Sequence, residues 1–276
     1  MKLTNKENNI SPLFCFNYHL MKKLSIGLGA TNYRLNHTLV IPDDATVKIE
    51  IEKTRVTIPI SYVFQNFSLG ASFIYEKSTL SFDDSTEDSY KKSDNNFGYD
   101  LGLAYHFSDL NLIFAVDYKS KIKHSDTYLN SASEIGIGAS WNIANTAHTF
   151  ALDYKRINSS EIDIFKSDII QDQDTFAVGY MYSADTWQMR LGYKYISDFY
   201  TNDDTYAALY DYIFPYPTTS HYTLGGSYQF NNSFSTDIAL MYATYVNKTD
   251  YFDGNYVGLR TKNNPISISV GINYIF

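Results

Sequence analysis

A single cysteine, Cys15, occurs in 276 residues, which excludes an internal disulfide and any multi-cysteine metal centre. Proline is scarce, at 6 residues, and no helical period competes with the pattern described below. No stretch approaches the roughly 18 apolar residues of a membrane-spanning helix. Basic residues are in deficit: the net charge is −8, so the basic face expected of a nucleic-acid-binding protein is missing. The opening MKLTNKENNISP has no apolar h-region, so it is not a secretory signal peptide. The expectation is either a cytosolic chain or one that has been processed or truncated. Aromatics, by contrast, are abundant, with 26 Tyr and 18 Phe making up most of a 17% aromatic content.

The remaining residues follow a two-residue period. In PISISVGINYIF, residues 265–276, Ile266, Ile268, Val270, Ile272, Tyr274 and Phe276 alternate with Ser267, Ser269, Gly271 and Asn273. That is a strand with one apolar face and one small, polar face. Residues 221–245 repeat the pattern on both sides of an Asn-Asn-Ser turn, which makes a β-hairpin. Similar hairpins occupy 14–33, 56–75, 97–118, 135–154 and 176–195. Short turns alternate with long polar links such as STLSFDDSTEDSYKKSDN. The fold class is therefore all-β, an antiparallel up-and-down barrel forming one domain over residues 1–276. Tight turns at one end and long loops at the other match the asymmetry of outer-membrane barrels.

Three features put the apolar face outside, in lipid. Its Phe, Tyr, Trp, Leu and Ile are too bulky to fill a barrel interior whose other face is Gly, Ser, Ala and Thr. The mid-strand charges Arg55, Glu76, Asp100, Asp117, Lys119, Asp153, Lys155, Arg190, Lys194 and Asp237 all fall on the small face, as they should if a basic residue at mid-bilayer costs ~2–4 kcal/mol on the lipid side. Aromatics, Tyr33 and Tyr75 among them, gather at strand ends as two interfacial belts. About thirteen strands can be counted, the first (12–20) and the last (265–276) running the same way. Single-chain bacterial barrels have an even count, so the expectation is that an odd number of strands is missing before residue 12.

The stretch GYDLGLAYHFSDLNLIFAVDYKSKIKHS, residues 98–125, resembles the FadL/TodX-like family of outer-membrane transport proteins. SPLFCFNYHLMKKLSIGLGA is similar to its second and third strands, and DTFAVGYMYSADTWQMRLGYKY and HYTLGGSYQFNNSFSTDIALMYATY are similar to its late hairpins. The resemblance implies a fourteen-stranded barrel whose N-terminal hatch and first strand have no counterpart here. It also implies uptake of hydrophobic compounds, such as long-chain fatty acids or aromatic hydrocarbons, with sideways exit at a kink in the third strand. That strand matches 24–33, so Gly27 and Gly29 are the kink candidates; Pro59, inside the strand at 54–64, marks a bulge or gap. The alternatives are a non-specific porin, a structural barrel or an inactive truncated fragment.

The substrate-binding candidates are Leu209, Tyr212, Ile213, Phe214 and Tyr216, an apolar patch in a loop. Lys119, Lys121, Lys123 and His124 climb one strand towards the outer rim, where they attract a carboxylate or lipopolysaccharide phosphates, or else pair with Asp117 and Asp153. Ile272, Tyr274 and Phe276 resemble the C-terminal signal read by the barrel assembly machinery. Expected partners are outer-membrane lipid and lipopolysaccharide, a hydrophobic small molecule and that machinery, with no nucleic acid, and the barrel is expected to be a monomer. No cofactor and no metal site is expected. Nor is an enzyme: Ser125 and His124 are adjacent on a strand and point to opposite faces, a poor nucleophile–base pair.

Overall fold

A sustained two-residue period gives a chain one continuous apolar face only when it is extended. The computed structural model describes residues 2–4, 13–40, 46–84, 89–125, 129–161, 170–199, 219–244, 249–252, 255–260 and 266–274. Its strands are β1 (Lys2–Thr4), β2 (Leu13–Met21), β3 (Leu24–Val40), β4 (Thr46–Phe64), β5 (Phe67–Asp84), β6 (Tyr90–Phe107), β7 (Leu112–Lys119), β8 (Glu134–Asn142), β9 (His148–Ile157), β10 (Gln173–Ser183), β11 (Trp187–Ile196), β12 (Ser220–Gln229), β13 (Phe234–Thr244), β14 (Thr249–Phe252), β15 (Asn255–Arg260) and β16 (Ile266–Tyr274). From β2 to β13 each strand pairs antiparallel with the next, and β16 follows beside β13. These are the thirteen strands read from the sequence. β1 lies on the same edge of β3 as β2, further along it. β14 and β15 form a hairpin of their own.

The faces are as the alternation demands. Leu152 is 64% exposed on the outside, whereas Ile74 is 1% exposed on the inside. The mid-strand charges named from the sequence turn inward: Asp117 stands between Gly102 and Gly136, and Asp153 between Gly138 and Ala177. Tyr33 is a correction to the aromatic belts. It pairs with Lys53 and shares that residue's inward face.

The turns at one end are short, at 22–23, 65–66, 108–111, 143–147, 184–186 and 230–233. Gln65, Asn111 and Asn145 take positive φ there (51°, 49° and 60°), a conformation that Asn tolerates through local side-chain bonding. The wall above this end is uneven. β3 to β6 are 17, 19, 18 and 18 residues long, whereas β7 to β13 have 8 to 11. A strand needs about 9–11 residues to cross a bilayer, so four strands rise well beyond the rest. At the outer end the sequence reading stopped them short, at 33, 50, 77 and 96, and counted the excess as polar loop.

The reason is a reversal of phase. Along β4, Ile60, Ile58 and Val56 face out, but above Arg55 it is Ile51 that faces in, with Thr54, Glu52 and Glu50 outside. β5 repeats this: Phe73 and Tyr75 face out, then Leu80 and Phe82 face in. The outward polar residues bond across the strands, Asn32 Nδ2 to Glu52 Oε1 (2.9 Å) and Thr54 Oγ1 (2.8 Å), and Thr79 Oγ to Ser93 Oγ (3.0 Å). The short strands change at the same level. Above the outward ring of Tyr154 comes Arg156, and above Phe176 comes Asp174.

The two edges of the sheet run in the same direction, since β2 enters the turn at 22–23 and β16 descends antiparallel to β13. Among the described residues no ladder joins them. The outward side chains of β16 are correspondingly bare: Ile268 and Ile272 are 70% and 72% exposed, against 42% for Leu240 on the neighbouring strand.

Candidate functional site: the lumen and its outer mouth

The lumen is lined by charges that answer one another. Glu134, at the start of β8, pairs with Lys119 and with Lys155 (3.0 Å). Lys119 is therefore engaged on the lumen wall, with Glu134 as partner rather than Asp117 or Asp153. Glycine makes room for the carboxylates: a Cβ on Gly136 would strike Asp117, and one on Gly138 would strike Asp153. Nearer the short turns, Asp237 receives Ser227 and Asn273 and lies 3.6 Å from Arg190, whose guanidinium also donates to Ser227 Oγ (2.6 Å).

At the outer end the connection from β7 to β8 folds inward. β7 ends at Lys119, so Lys121, Lys123 and His124 do not continue up a strand as the sequence suggested. Residues 120–125 and 129–133 lie against the inner face of β4, β5 and β6, and one antiparallel bridge, Ile122 with Ser131, holds the two halves together. Ile122 seats over Gly98, where a Cβ would come within 2.7 Å of its Cγ1. Ile122 and Leu129 are fully buried, as is Ile74 on the wall behind them.

Glu76 is the hub of this contact and is 0% exposed. Its register neighbour Arg55 holds Oε2 through Nε (3.1 Å) and Nη2. From the folded segment, Ser131 Oγ donates to Oε1 at 2.6 Å and the buried His124 places Nε2 3.4 Å away. Lys53 Nζ stands 3.9 Å from the same oxygen and donates to Ser131 Oγ (2.8 Å) and to the carbonyls of Asn130 (3.2 Å) and Leu129 (3.4 Å). Lys123 is exposed, and its carbonyl accepts Asn96 Nδ2. The sequence marked Glu76 and Arg55 as lumen charges but gave neither a site. The available clue was position, since Glu76 directly follows Tyr75, the last outward aromatic of its strand.

Above the hub, the phase reversal turns Ile51, Leu80, Phe82 and Tyr90 inward on adjacent strands, giving the mouth of the tall wall an apolar strip. Across the mouth, the link before β10 is fixed by Asp172. Partial burial pushes its carboxyl up, but bonds from the Ser160 hydroxyl and N–H and from the Arg156 guanidinium outweigh this and hold it below the ordinary carboxylate range.

Gly27 and Pro59 meet. The β3–β4 ladder pairs Ile26 with Ile60 and resumes at Gly29 with Thr57, with no pairing between. Pro59 has no N–H to give there. Gly27 is buried in the space left, and a Cβ on it would stand 2.8 Å from Phe16 O and 2.9 Å from both Asn17 Oδ1 and Pro59 Cγ. Gly29 sits in the resumed ladder, and a Cβ there would find ordinary contacts. Ile272 and Tyr274 face outward on β16. Phe276 and the patch Leu209, Tyr212, Ile213, Phe214 and Tyr216 lie outside the described residues.

The fold has counterparts among solved structures. The Pseudomonas putida toluene transporter TodX aligns with a TM-score of 0.73 at 14% identity, covering 96% of this chain and 82% of that one. The Ralstonia pickettii toluene transporter TbuX gives 0.62 at 14%, over 86% and 76%. A Pseudomonas aeruginosa FadL homologue gives 0.67 at 16%, over 95% and 77%. At such identities the likeness is one of fold. No curated protein sequence matches the chain. The family model of Gram-negative porins matches residues 36–250, most of the length. This match, together with an outward apolar face and a charged lumen, shows that the chain belongs to the Gram-negative porin family of outer-membrane barrels.

Proposed function

We propose that this barrel takes up hydrophobic compounds across the outer membrane, long-chain fatty acids or aromatic hydrocarbons being the substrate classes. The observation that carries the reading is the phase reversal, which gives the mouth an inward strip of Ile51, Leu80, Phe82 and Tyr90 above a charged lumen. A greasy solute is favoured on that strip by roughly 25 cal/mol per Å² of apolar surface it covers. It is disfavoured among the charges below, where it would strip water from Lys119, Glu134 and Lys155. The loop patch Leu209, Tyr212, Ile213, Phe214 and Tyr216 serves first capture. Exit is sideways, through the wall where Gly27 and Pro59 leave the ladder unpaired, with Gly29 allowing the strand to bend. The half-buried Lys121 and the exposed Lys123 attract lipopolysaccharide phosphates, and Lys119 and His124 act from inside the lumen and its folded segment. Ile272, Tyr274 and Phe276 engage the assembly machinery, and residues 1–276 act as one barrel domain and as a monomer. The chain performs transport rather than catalysis. The structural neighbours support this reading, since those solved as toluene transporters share its fold.

The test is uptake of labelled toluene and labelled oleate by cells expressing the protein in a strain deficient in both. Saturable uptake that falls when Leu80 and Phe82 are changed to Asn is the expected result. A second reading, a water-filled porin for small ions, is favoured by the charge stations around Glu134. Ohmic conductance in planar bilayers, with no uptake of either solute, would replace the first reading with this one.

A further inference from the structure

We infer that the outward face of β5 and β6 above the hydrocarbon is a binding site for one lipopolysaccharide molecule, with Lys77 on a phosphate of its lipid head and Lys91 on an acidic group of the sugars above. The inference goes beyond the proposed function, because it holds whichever solute is carried. It also concerns a different face from the inward-folded segment that carries Lys121 and Lys123.

Tyr75 and Phe97 are the last outward aromatics of these two strands, and their ring centroids lie 5.5 Å apart. Above them the register sets three outward pairs: Lys77 with Asn95, Thr79 with Ser93, and Ser81 with Lys91. These six positions hold two cations, four neutral hydrogen-bonding groups and no acid. Lys77 and Lys91 are exposed, and neither has an ion-pair or hydrogen-bond partner among the described residues. The nearest outward carboxylates on β4 are turned the other way. Glu50, in register with Ser81, pairs with Arg34 of β3 at 2.8 Å, and Glu52, in register with Thr79, accepts Asn32 Nδ2 of β3 at 2.9 Å. Asp83, one outward pair higher, stands opposite Lys48. On the other flank, β7 leaves β6 at Asp100. Among the described residues no strand flanks the outer half of β6, so the face is open from the side.

The vertical order of these groups selects the occupant. A lipid standing against this wall lays its chains on Phe73, Tyr75 and Phe97 and lifts its head past Lys77. A phospholipid carries its charge at one level, directly above the hydrocarbon, and would engage Lys77 alone. Lys91 pairs with Ser81, four residues further out than Lys77, which is about 14 Å along the strand. Between the two lysines lie the hydroxyls of Thr79, Ser81 and Ser93. A cation, a band of hydroxyls and a second cation match a lipid whose phosphorylated head continues as sugars bearing further acidic groups. In the outer leaflet that lipid is lipopolysaccharide, and a lysine ammonium donates charge-assisted hydrogen bonds to phosphate and carboxylate alike. The short wall lacks this arrangement. Its cation at the corresponding level, Arg156, is committed to Asp172 at 3.0 Å and lies 3.8 Å from Asp174.

The test is native mass spectrometry of the refolded protein in detergent with EDTA, so that metal ions bridge nothing, titrated with lipopolysaccharide ending in the phosphorylated inner core. One tightly held copy is expected on the wild type. Lys77→Gln and Lys91→Gln are each expected to weaken it about fivefold, the worth of one lysine beside an anionic membrane surface, and the double variant to weaken it further. Ser93→Glu, which sets a carboxylate between the lysines, should also weaken it, and Arg156→Gln should leave it unchanged. All four positions are exposed, and a heat-modifiability gel shows that each variant has folded. Unaltered binding in both lysine variants would overturn the site. Weakening in Lys77→Gln alone, or equal displacement by phosphatidylglycerol, would mean a charge read at one level and would overturn lipopolysaccharide as the occupant.

Discussion

The tall wall and the short wall obey the same alternation and do different things with it. Strands β7 to β13 keep apolar residues outside and charged or small ones inside up to Tyr154 and Phe176, and end within a few residues of that level, where Arg156 and Asp174 face out. Strands β4 and β5 keep that phase to Val56 and Tyr75 and then invert it, and β6 joins them at Tyr90, with Asn96, Asp94 and Lys92 facing in below it. The short wall therefore presents lipid with a band and the lumen with charge. The tall wall does this too, and then offers an apolar inner surface where no lipid stands outside. What differs is where water is: below the inversion it is inside the barrel, and above it, it is on the outer surface. One period can serve both surroundings if its phase can shift.

The comparison breaks most sharply along one strand. Phe73→Arg, on the outward face of β5 below the inversion, is expected to destabilise the barrel by ~2–4 kcal/mol. Thr79→Arg, on the same strand and the same side but above it, is expected to change stability by less than about 0.5 kcal/mol. Urea unfolding in lipid vesicles measures both, and equal costs would mean that the hydrocarbon boundary is misplaced. Next comes the join of β3 and β4. Gly27→Ala forces a Cβ against Phe16 O, Asn17 and Pro59, an overpacking cost of about 1–3 kcal/mol in the same unfolding experiment.

Within the short wall, Glu134→Gln leaves Lys119 and Lys155 facing each other without their shared carboxylate. The reversal potential in a KCl gradient should move towards anion selectivity; an unchanged potential would mean that ions do not pass this station. In the converse experiment, Pro59→Ala supplies an N–H opposite Gly27. If the ladder then closes, stability rises by about 0.5–1.5 kcal/mol and uptake of hydrophobic solutes falls, and unchanged uptake would remove this point from the exit route. The smallest effect is at the rim. The Asp172 carboxyl is depressed in the folded protein, so its contribution is present above the ordinary carboxylate pKa and is lost as pH falls through the lower, folded value. Asp172→Asn should abolish that part of the acid destabilisation, worth under about 1 kcal/mol for a solvent-screened pair, as read from thermal melts at successively lower pH.

Much of this was legible in the residues themselves. A strand announces its faces, so the thirteen strands, their order and the inward charges from Arg55 to Asp237 all follow from a period of two. The height of the tall wall did not, because past Lys77 and before Asn96 the outward residues turn polar, and such stretches read as loop. The folded segment was illegible for another reason. In KSKIKHS the lone Ile122 has no periodic companion, and His124 meets Glu76 across 48 residues. Gly27 and Pro59 each drew notice, yet their contact depends on the register of β3 on β4. The sequence reading placed a long polar link, LNHTLVIPDDATVK, between those strands, from which no register could be counted.

The inversion also sets the draught of the protein in its membrane. Moving the barrel inward by two residues, about 7 Å along a strand, would carry Lys77 and Arg156 into hydrocarbon. Moving it outward by the same distance would lift Tyr75, Phe97, Tyr154 and Phe176 out of the interface. Both displacements are opposed at several strands simultaneously, so depth is specified by the sequence independently of the solute and the loops. A bilayer thinner or thicker than the apolar band must then deform to meet the barrel, because the barrel has no neighbouring level at which it fits.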